Sequence, residues 1–553
     1  MADNNQTSTQ SPVNEEETIQ SAEEEAKTRE SVGRSSAMMS GLIIVSRITG
    51  FFRTWAQAYA VGVTMLASCY TIANNLPNLL YELVMGGMLV TAFLPVYMSV
   101  KHRLGRKGAN AYASNLFSFT LLIMGGLSLA SVIFAAPIVW TQLFSATNVD
   151  FDLSVYFFRF FAIEIMLYSL SMVVSGILNA EREYFWSTAA PIFNNFVTIA
   201  SFVLYIVFEM SNPGLALVIL GLGNPLGVLV QLLVQLPALH KQGVRLTFHI
   251  DWHDPEIKET LSIGIPSFIC TIVMFVTTSF ETSYEMQSSV SGSSIAYYAR
   301  IWYTLPYSIL AVPLTTALFT EISDLFAKHD IKGYRRSVSK GISQILFMLI
   351  PMMLFLIVFS QPLITVMSGR SFSLDEINLT AEFLCVLAVS LPVYGVYIFL
   401  QKIFSSMRHM NLFAGASVIA GAVCAVFMAV CTPMYGLMIP AWSNTIFYVI
   451  VDGIGVAQLW HNLGGLGIRR IIAESLRSLV LGLAGALVGF LILTALNTFV
   501  APCTTSMGRA FLYCLAGGIP ALIVTYGGAV ALKMPEAGII RRVCARFIPA
   551  LRK

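Results

Sequence analysis

The 553-residue sequence is poor in charged residues, and the few that it has are unevenly placed. Only 11% of the residues are Asp, Glu, Lys or Arg, against about 25% in ordinary soluble domains, whereas 56% are hydrophobic. This composition excludes a string of soluble domains and is typical of an integral membrane protein. Eight acidic and three basic residues give residues 1–36 a charge of −5, so the net charge of +3 leaves +8 for the rest. That positive charge is dispersed over short loops, which excludes a nucleic-acid-binding patch.

The sequence also lacks the cysteine spacing that a zinc site or a disulfide framework requires. No C-x-x-C pair occurs, and most cysteines lie in apolar runs, where they are predicted to act as small core hydrophobes. The eight are Cys69, Cys270, Cys385, Cys424, Cys431, Cys503, Cys514 and Cys544.

No catalytic or cofactor-binding pattern is present. The glycine run at 221–227 has the wrong spacing for a dinucleotide loop and lies in an apolar segment, so no cofactor and no ATP site are expected. In HIDWHD, residues 249–254, the alternation of His249, Asp251 and His253 is compatible with a metal. A segment lying on the membrane surface, with Trp252 at the interface, is the favoured interpretation.

Long hydrophobic runs dominate what is present. After an acidic tail at 1–36 that is expected to be disordered, windows of about 20 apolar residues predict fourteen membrane spans. They lie near 38–61, 72–99, 114–141, 155–179, 187–209, 214–238, 260–284, 295–322, 343–367, 378–404, 411–433, 436–460, 474–499 and 510–532.

The loops between these spans predict the orientation. Lys and Arg concentrate after even-numbered spans, for example at 101–107 and 328–340, whereas the odd loops hold only two arginines. By the positive-inside rule both termini, including a basic tail at 534–553, are then cytoplasmic.

The same pattern suggests an internal repeat of six spans. The two longest basic loops follow spans two and eight, and both spans contain a Leu-Pro near their starts, at 76–77 and 305–306. The expected architecture is all-α, with an N-lobe at 37–240, a C-lobe at 241–465 and two extra helices at 466–533. Chance similarity between two apolar spans is the alternative.

Ionisable residues at membrane depth are the candidate functional sites, because a charge there needs a partner or a water-filled cavity. Arg47, Arg53 and Arg300 suggest an anionic substrate, since the guanidinium fork binds phosphate or carboxylate in a bidentate manner. Arg47 alternatively snorkels to lipid headgroups. The candidates singled out among the ionisable residues of the predicted spans are Arg47, Arg53, Glu82, Arg159, Glu164, Arg300 and Asp452.

The remaining candidates have two interpretations each. Glu82 either pairs with one of the arginines or binds a coupling proton, or it only packs helices. Asn78, beside Pro77 in span two, either contacts the substrate or hydrogen-bonds a neighbouring helix. Arg159 and Glu164 are expected to be structural, and Asp452 is either an ion ligand or structural.

Several segments resemble the MurJ (MviN) family, the lipid II flippases of bacterial cell-wall synthesis within the multidrug/oligosaccharidyl-lipid/polysaccharide exporter superfamily. The likeness covers most of the chain and is carried by SRITGFFR (46–53), NLPNLL (75–80), TAFLPVY (91–97), GILNAEREY (176–184), AAPIFNN (189–195) and YYARIWYTLP (297–306). The family's cavity arginines correspond to Arg47, Arg53 and Arg300.

The resemblance implies a non-enzymatic transporter of the plasma membrane that moves lipid II from the inner to the outer leaflet. Its partners would be the anionic lipid-linked glycan, membrane lipids, a coupling ion and cell-wall synthesis proteins, and the last two helices would form a groove for the polyprenyl tail. An exporter of another lipid-linked glycan, such as a teichoic-acid or capsule unit, and a non-transporting cell-wall scaffold are the alternatives. A drug or cation antiporter is disfavoured because cationic substrates require buried carboxylates rather than arginines.

Overall fold

The computed structural model describes residues 38–39, 41–85, 93–251, 255–369, 371–407, 410–534 and 537–538. Helices make up nearly all of this part of the chain, and no β-strand occurs in it. The predicted all-α class is therefore confirmed. The predicted tail at 1–36, Trp252, His253 and most of the segment at 534–553 lie outside the described residues.

The first half of the chain folds into nine described helices before residue 251. They are α1 (residues 41–61), α2 (Met65–Met85), α3 (Leu94–Ile133), α4 (Ala135–Trp140), α5 (Phe151–Phe161), α6 (Glu164–Ala180), α7 (Tyr184–Phe208), α8 (Pro213–Leu233) and α9 (Leu236–Lys241). The backbone of α3 is non-helical at Gly105, where φ is 66°. This break separates the second and third predicted spans.

The second half is also helical, with π-helical turns at Tyr307–Ala311 and Ile523–Gly527. Its helices are α10 (Pro255–Ser288), α11 (Gly292–Pro306), α12 (Val312–Ala327), α13 (Ile331–Val358), α14 (Ser360–Ser368), α15 (Leu374–Ala388), α16 (Leu391–Ser406), α17 (Met410–Tyr435), α18 (Met438–Leu463), α19 (Ile468–Phe499), α20 (Met507–Leu522) and α21 (Gly528–Ala531).

The helices are those of a multi-pass membrane protein. Among the described residues, ten helical runs are long and apolar enough to cross a bilayer, or eleven if α15 and α16, bent by 48°, form one span. Each of the fourteen predicted segments is mostly helical where it is described, with short turns inside some of them, for example at 162–163 and 389–390. Fourteen crossings stay the prediction.

The apolar core is divided between the halves, and α1 packs against both. Tyr70 and its neighbours form one buried cluster of the first half, and the second half is built around residues such as Phe383 and Phe399. Ala58 of α1 belongs to the second-half cluster, whereas Val61, at the end of the same helix, belongs to the first. Helix α1 therefore lies between the two halves, with its polar face at their junction. The exact lobe boundaries stay a prediction.

Extended residues 244–251, after α9, lie along α3. The backbone amides of Thr247 and His249 donate to Ser114 Oγ and Ser118 Oγ at 3.2 and 3.0 Å, and the amide of Asp251 donates to Asn115 Oδ1 at 2.9 Å. Side chains of α3 thus accept hydrogen bonds from backbone amides of a segment that forms neither helix nor strand. No group of three potential metal ligands occurs in the described part of the chain, so His249 and Asp251 have no described metal-binding cluster around them.

The loop between α6 and α7 is tied to α3 by an ion pair. Lys101 Nζ lies 2.7 Å from Glu181 Oε1, and the Tyr97 hydroxyl donates to the same oxygen at 2.8 Å. Partial burial raises the pKa of Glu181, but the hydrogen bonds from Lys101 and Tyr97 outweigh burial and hold the pKa below its usual value.

Glycines let the helices approach closely, as the G-x-x-x-G spacings in the sequence indicate. A Cβ added at Gly485 of α19 would collide with Thr525 Oγ1 and lie 2.5 Å from the carbonyl oxygen of Ala521. A Cβ at Gly223 of α8 would collide with Ser201 of α7. The glycines are therefore required by packing, not by backbone conformation.

Gly485→Val is expected to destabilise the protein by about 1–3 kcal/mol, because the added atoms force α19 away from the end of α20 and the π-helical turn that follows it. The thermal unfolding midpoint in detergent measures the effect. Gly415→Val is the matched control, since no atom lies within 4 Å of a Cβ at Gly415. An equal change in the two variants would contradict the packing explanation.

Candidate functional site

A cavity of about 670 Å³ lies where helices of the two halves meet. Helices α1, α6, α7 and α8 contribute one side, and α11 with the π-helical turn after it contributes the other. Its polar and charged lining side chains are Ser46, Arg47, Arg53, Thr54, Tyr168, Ser187, Thr188, Asn194, Asn195, Gln231, Tyr297, Thr304 and Ser308. This central cavity is polar inside an otherwise apolar bundle.

Arg53 is the half-buried cation of the central cavity. Its guanidinium lies close to the Tyr297 hydroxyl of α11, which is 3.4 Å from Thr54 Oγ1. No carboxylate of a described residue lies within ion-pair distance of Arg53. Most of its donors are therefore available to an anion, which is what bidentate phosphate binding requires.

Arg47 lines the same cavity one and two-thirds turns before Arg53 on α1. It is exposed, and it has no ion-pair partner among the described residues. The two positions are about 120° apart around α1, and the cavity is wide enough to receive both side chains. The two positive charges give the cavity a cationic wall.

Asn195 of α7 holds α1 in place beside this wall. Its Nδ2 donates to Thr49 Oγ1 at 2.9 Å and to the Ser46 carbonyl at 3.3 Å. A Cβ at Gly50 would lie 3.7 Å from the same nitrogen, so a small residue lets the two helices meet. The amide thus acts as the interhelical hydrogen-bonding group that its position in an apolar span indicates.

Arg300, the third arginine proposed from the sequence for an anionic substrate, does not line the central cavity and is paired with two carboxylates. Its Nη2 lies 2.8 Å from Glu281 Oε2 and 3.4 Å from Glu285 Oε1, both on α10. The three side chains lie in the second half, where Arg300 and Glu281 line a separate cavity of about 300 Å³ with Tyr394 and Tyr448. Substrate binding by Arg300 stays a prediction. Its carboxylate partners were not predicted, because their positions depend on how α10 and α11 are rotated against each other.

Glu82 and Asn78 do not line the central cavity either. Asn78 Nδ2 donates to the Asn74 carbonyl within its own helix at 3.3 Å. Glu82 is half-buried, and no cation of a described residue lies within ion-pair distance of it. The predicted pairing of Glu82 with an arginine is therefore not found in the described part of the chain.

Sequence reasoning missed several neutral lining residues, above all Tyr168, Gln231 and Tyr297. They carry no charge, so a search for ionisable residues in apolar spans passes over them. Their signal in the sequence is weak, because a Tyr or Gln in a membrane helix more often only hydrogen-bonds another helix. Glu281 and Glu285 gave a clearer signal, being four residues apart and hence on one helix face.

Comparison with known proteins shows the family of the chain. The family model described as "Lipid II flippase MurJ" matches residues 57–506. The chain belongs to the MurJ family. Among curated MurJ-family proteins, the "Probable lipid II flippase MurJ" of Rhizobium meliloti is 26% identical over 70% of this chain and 74% of its own length. The "Lipid II flippase MurJ" of Burkholderia cenocepacia is 26% identical over 65% and 70%.

Solved structures of MurJ and of related transporters share the fold. A structure titled "Lipid II flippase MurJ, inward closed conformation" matches with a TM-score of 0.71 and 21% identity, covering 90% of this chain and 99% of that one. An inward-facing multidrug resistance MATE transporter matches with a TM-score of 0.64 and 13% identity, over 77% and 94%. The recognition from sequence motifs is thereby confirmed, and the protein is a transporter-type membrane protein of the MurJ fold.

Proposed function

We propose that this MurJ-family protein moves lipid II, the undecaprenyl-diphosphate-linked peptidoglycan precursor, from the inner to the outer leaflet of the bacterial plasma membrane. The observation that carries the proposal is the pair of arginines, Arg47 and Arg53, that line a cavity between the halves without a described carboxylate partner. A diphosphate supplies the negatively charged partner that these guanidinium groups lack among the described residues. The curated relatives are named for the same substrate.

The diphosphate would bind Arg53 while the sugars contact neutral donors and acceptors such as Asn194, Gln231 and Ser187. Because the cavity lies between the halves, rocking one half against the other would expose it to either leaflet. The shared fold of inward-facing and outward-facing MATE transporters supports this alternating access. Orientation with both termini in the cytoplasm follows from the basic loops.

The polyprenyl tail would follow the last two long helices, at 466–533. Leu483, Leu487 and Leu491 of α19 are more than half exposed and form an apolar surface suited to an isoprenoid chain. Between α19 and α20 themselves there is little room, because the Phe359 ring packs against Gly489 and Gly517. The tail therefore would lie on this surface, not between the helices.

Depletion of the protein in its own cells tests the substrate. We expect the amount of lipid-linked precursor that an externally added hydrolase can reach to collapse on depletion, and wild-type protein to restore it. Arg53→Ala should not restore it at equal protein level, whereas Arg159→Ala, which removes an exposed arginine of α5, should. Unchanged accessibility on depletion would reject lipid II as the substrate and favour another lipid-linked glycan or a scaffold role.

A further inference from the structure

A buried carboxyl group outside the central cavity has no cation partner among the residues that the structure describes. Glu164, at the start of α6, has no exposed surface and lies near the middle of the apolar span Phe151–Ala180. Both carboxyl oxygens accept from one neutral donor, Asn224 Nδ2, at 3.2 and 3.1 Å. No basic group of a described residue lies within ion-pair distance of Glu164. Burying the charged form in such a place costs free energy that burying the neutral acid does not.

A chain of hydrogen-bonding side chains connects Glu164 to the wall of the central cavity. Gln231 and Asn194 line the cavity, and Asn194 Nδ2 donates to Gln231 Oε1 at 2.9 Å. Thr198 Oγ1 lies 3.3 Å from Asn194 Oδ1 and 3.4 Å from Asn224 Oδ1. Asn224 in turn donates to Glu164, so α6, α7 and α8 are joined in one polar network.

The charged and titratable side chains around Glu164 determine the sign of any coupling. Arg53 of α1, Tyr70 of α2 and Tyr168 of α6 are the described titratable groups that interact with it electrostatically. Tyr70 and Tyr168 are neutral under ordinary conditions, so Arg53 is the charge that senses the state of Glu164. A negative Glu164 offsets part of the positive potential that Arg53 offers to a ligand, and a neutral Glu164 does not.

We propose that Glu164 is a proton-binding site and that its protonation is coupled to anion binding in the central cavity. A proton on Glu164 removes the opposing negative charge and strengthens anion binding at Arg53. Linkage is reciprocal, so binding of the anion promotes proton uptake at Glu164. The proposal rests on the proposed function, in that the anion is the diphosphate of the substrate. It identifies the coupling ion as a proton and Glu164 as the residue that binds it.

Calorimetric titration of the purified full-length protein with inorganic pyrophosphate tests the coupling. The titration is repeated in two buffers of different ionisation enthalpy, which gives the number of protons taken up per pyrophosphate bound. Wild-type protein should take up more protons per pyrophosphate bound than Glu164→Gln. Protons that pyrophosphate itself gains on binding are the same for both proteins, so they cancel when the two values are subtracted. Raising the pH should weaken binding to wild-type protein about tenfold more than binding to Glu164→Gln, within the usual range of coupling between two sites.

Glu209→Gln is the matched control, because Glu209 is an exposed carboxylate at the end of α7 that accepts from Tyr205. It should behave as wild type in both proton uptake and pH dependence. If Glu164→Gln folds poorly, Glu164→Asp keeps an acid in place and should retain proton uptake with a shifted pH profile. Pyrophosphate binding with equal proton uptake in wild type, Glu164→Gln and Glu164→Asp would overturn the coupling alone. No pyrophosphate binding by wild type would overturn the proposed anion site and the coupling with it.

Discussion

Arg53→Ala is expected to lower the affinity of the purified protein for a polyprenyl diphosphate about 100-fold, which corresponds to about 2.7 kcal/mol. The size follows from the loss of a charge-assisted, bidentate contact in a half-buried cavity, where water screens the charge less than at a surface. Titration of detergent-solubilised protein with undecaprenyl diphosphate measures it. Arg53 has no described ion-pair partner, so its removal should leave the unfolding midpoint nearly unchanged.

Two further variants separate charge from geometry at this position. Arg53→Lys keeps the positive charge but not the planar fork, so it should recover only part of the lost affinity. Arg159→Ala removes an exposed arginine of α5 that does not line the cavity and should bind as wild type does. Wild-type affinity in Arg53→Ala would place the anion elsewhere in the molecule.

Arg300→Ala should act on stability, in contrast to Arg53→Ala. Removing the guanidinium leaves Glu281 and Glu285, whose side chains are 11% and 4% exposed, without their cation. Breaking a buried ion pair of this kind lowers the free energy of unfolding by roughly 3 kcal/mol. The loss is smaller here because water reaches the Arg300 side chain, which is 35% exposed. Thermal unfolding in detergent should show a clearly lowered midpoint.

Replacing the whole cluster provides the control for Arg300. The triple variant Arg300→Met, Glu281→Gln, Glu285→Gln leaves no unpaired charge and should regain most of the lost stability. A stable Arg300→Ala variant that has lost diphosphate binding would contradict the ion-pair assignment and return Arg300 to the substrate site.

Long apolar runs were sufficient to predict the all-α fold class. The bilayer core has no water to hydrogen-bond the backbone, and a helix satisfies its own N–H and C=O groups. Prolines also marked where the helices deviate. A π-helical turn begins directly after Pro306, and α16, which begins next to Pro392, is bent by 48° against α15. The break between α5 and α6 had no such signal, since residues 162–163 are Ala and Ile.

The site was only partly predictable for a different reason. Hydropathy locates a charge at membrane depth, and on that basis Arg53 was found. It does not tell which charge on another helix faces it, and the carboxylate partners of Arg300 were therefore not predicted. Glu285 lies one residue beyond the predicted end of its span at 284, whereas α10 continues to Ser288. Glu164 was expected to be structural. Its network to Asn224 and Thr198 could not be predicted from the sequence, because it exists only once three helices have packed.

The central claim is that the arginine cavity carries the substrate across the bilayer. The most direct measurement is transfer of purified lipid II between the leaflets of liposomes that contain the purified protein, followed through cleavage by an enzyme added outside. Wild type and Arg159→Ala should expose inner-leaflet lipid II at equal rates, and Arg53→Ala should match protein-free liposomes. Transfer by Arg53→Ala at the wild-type rate would contradict the account.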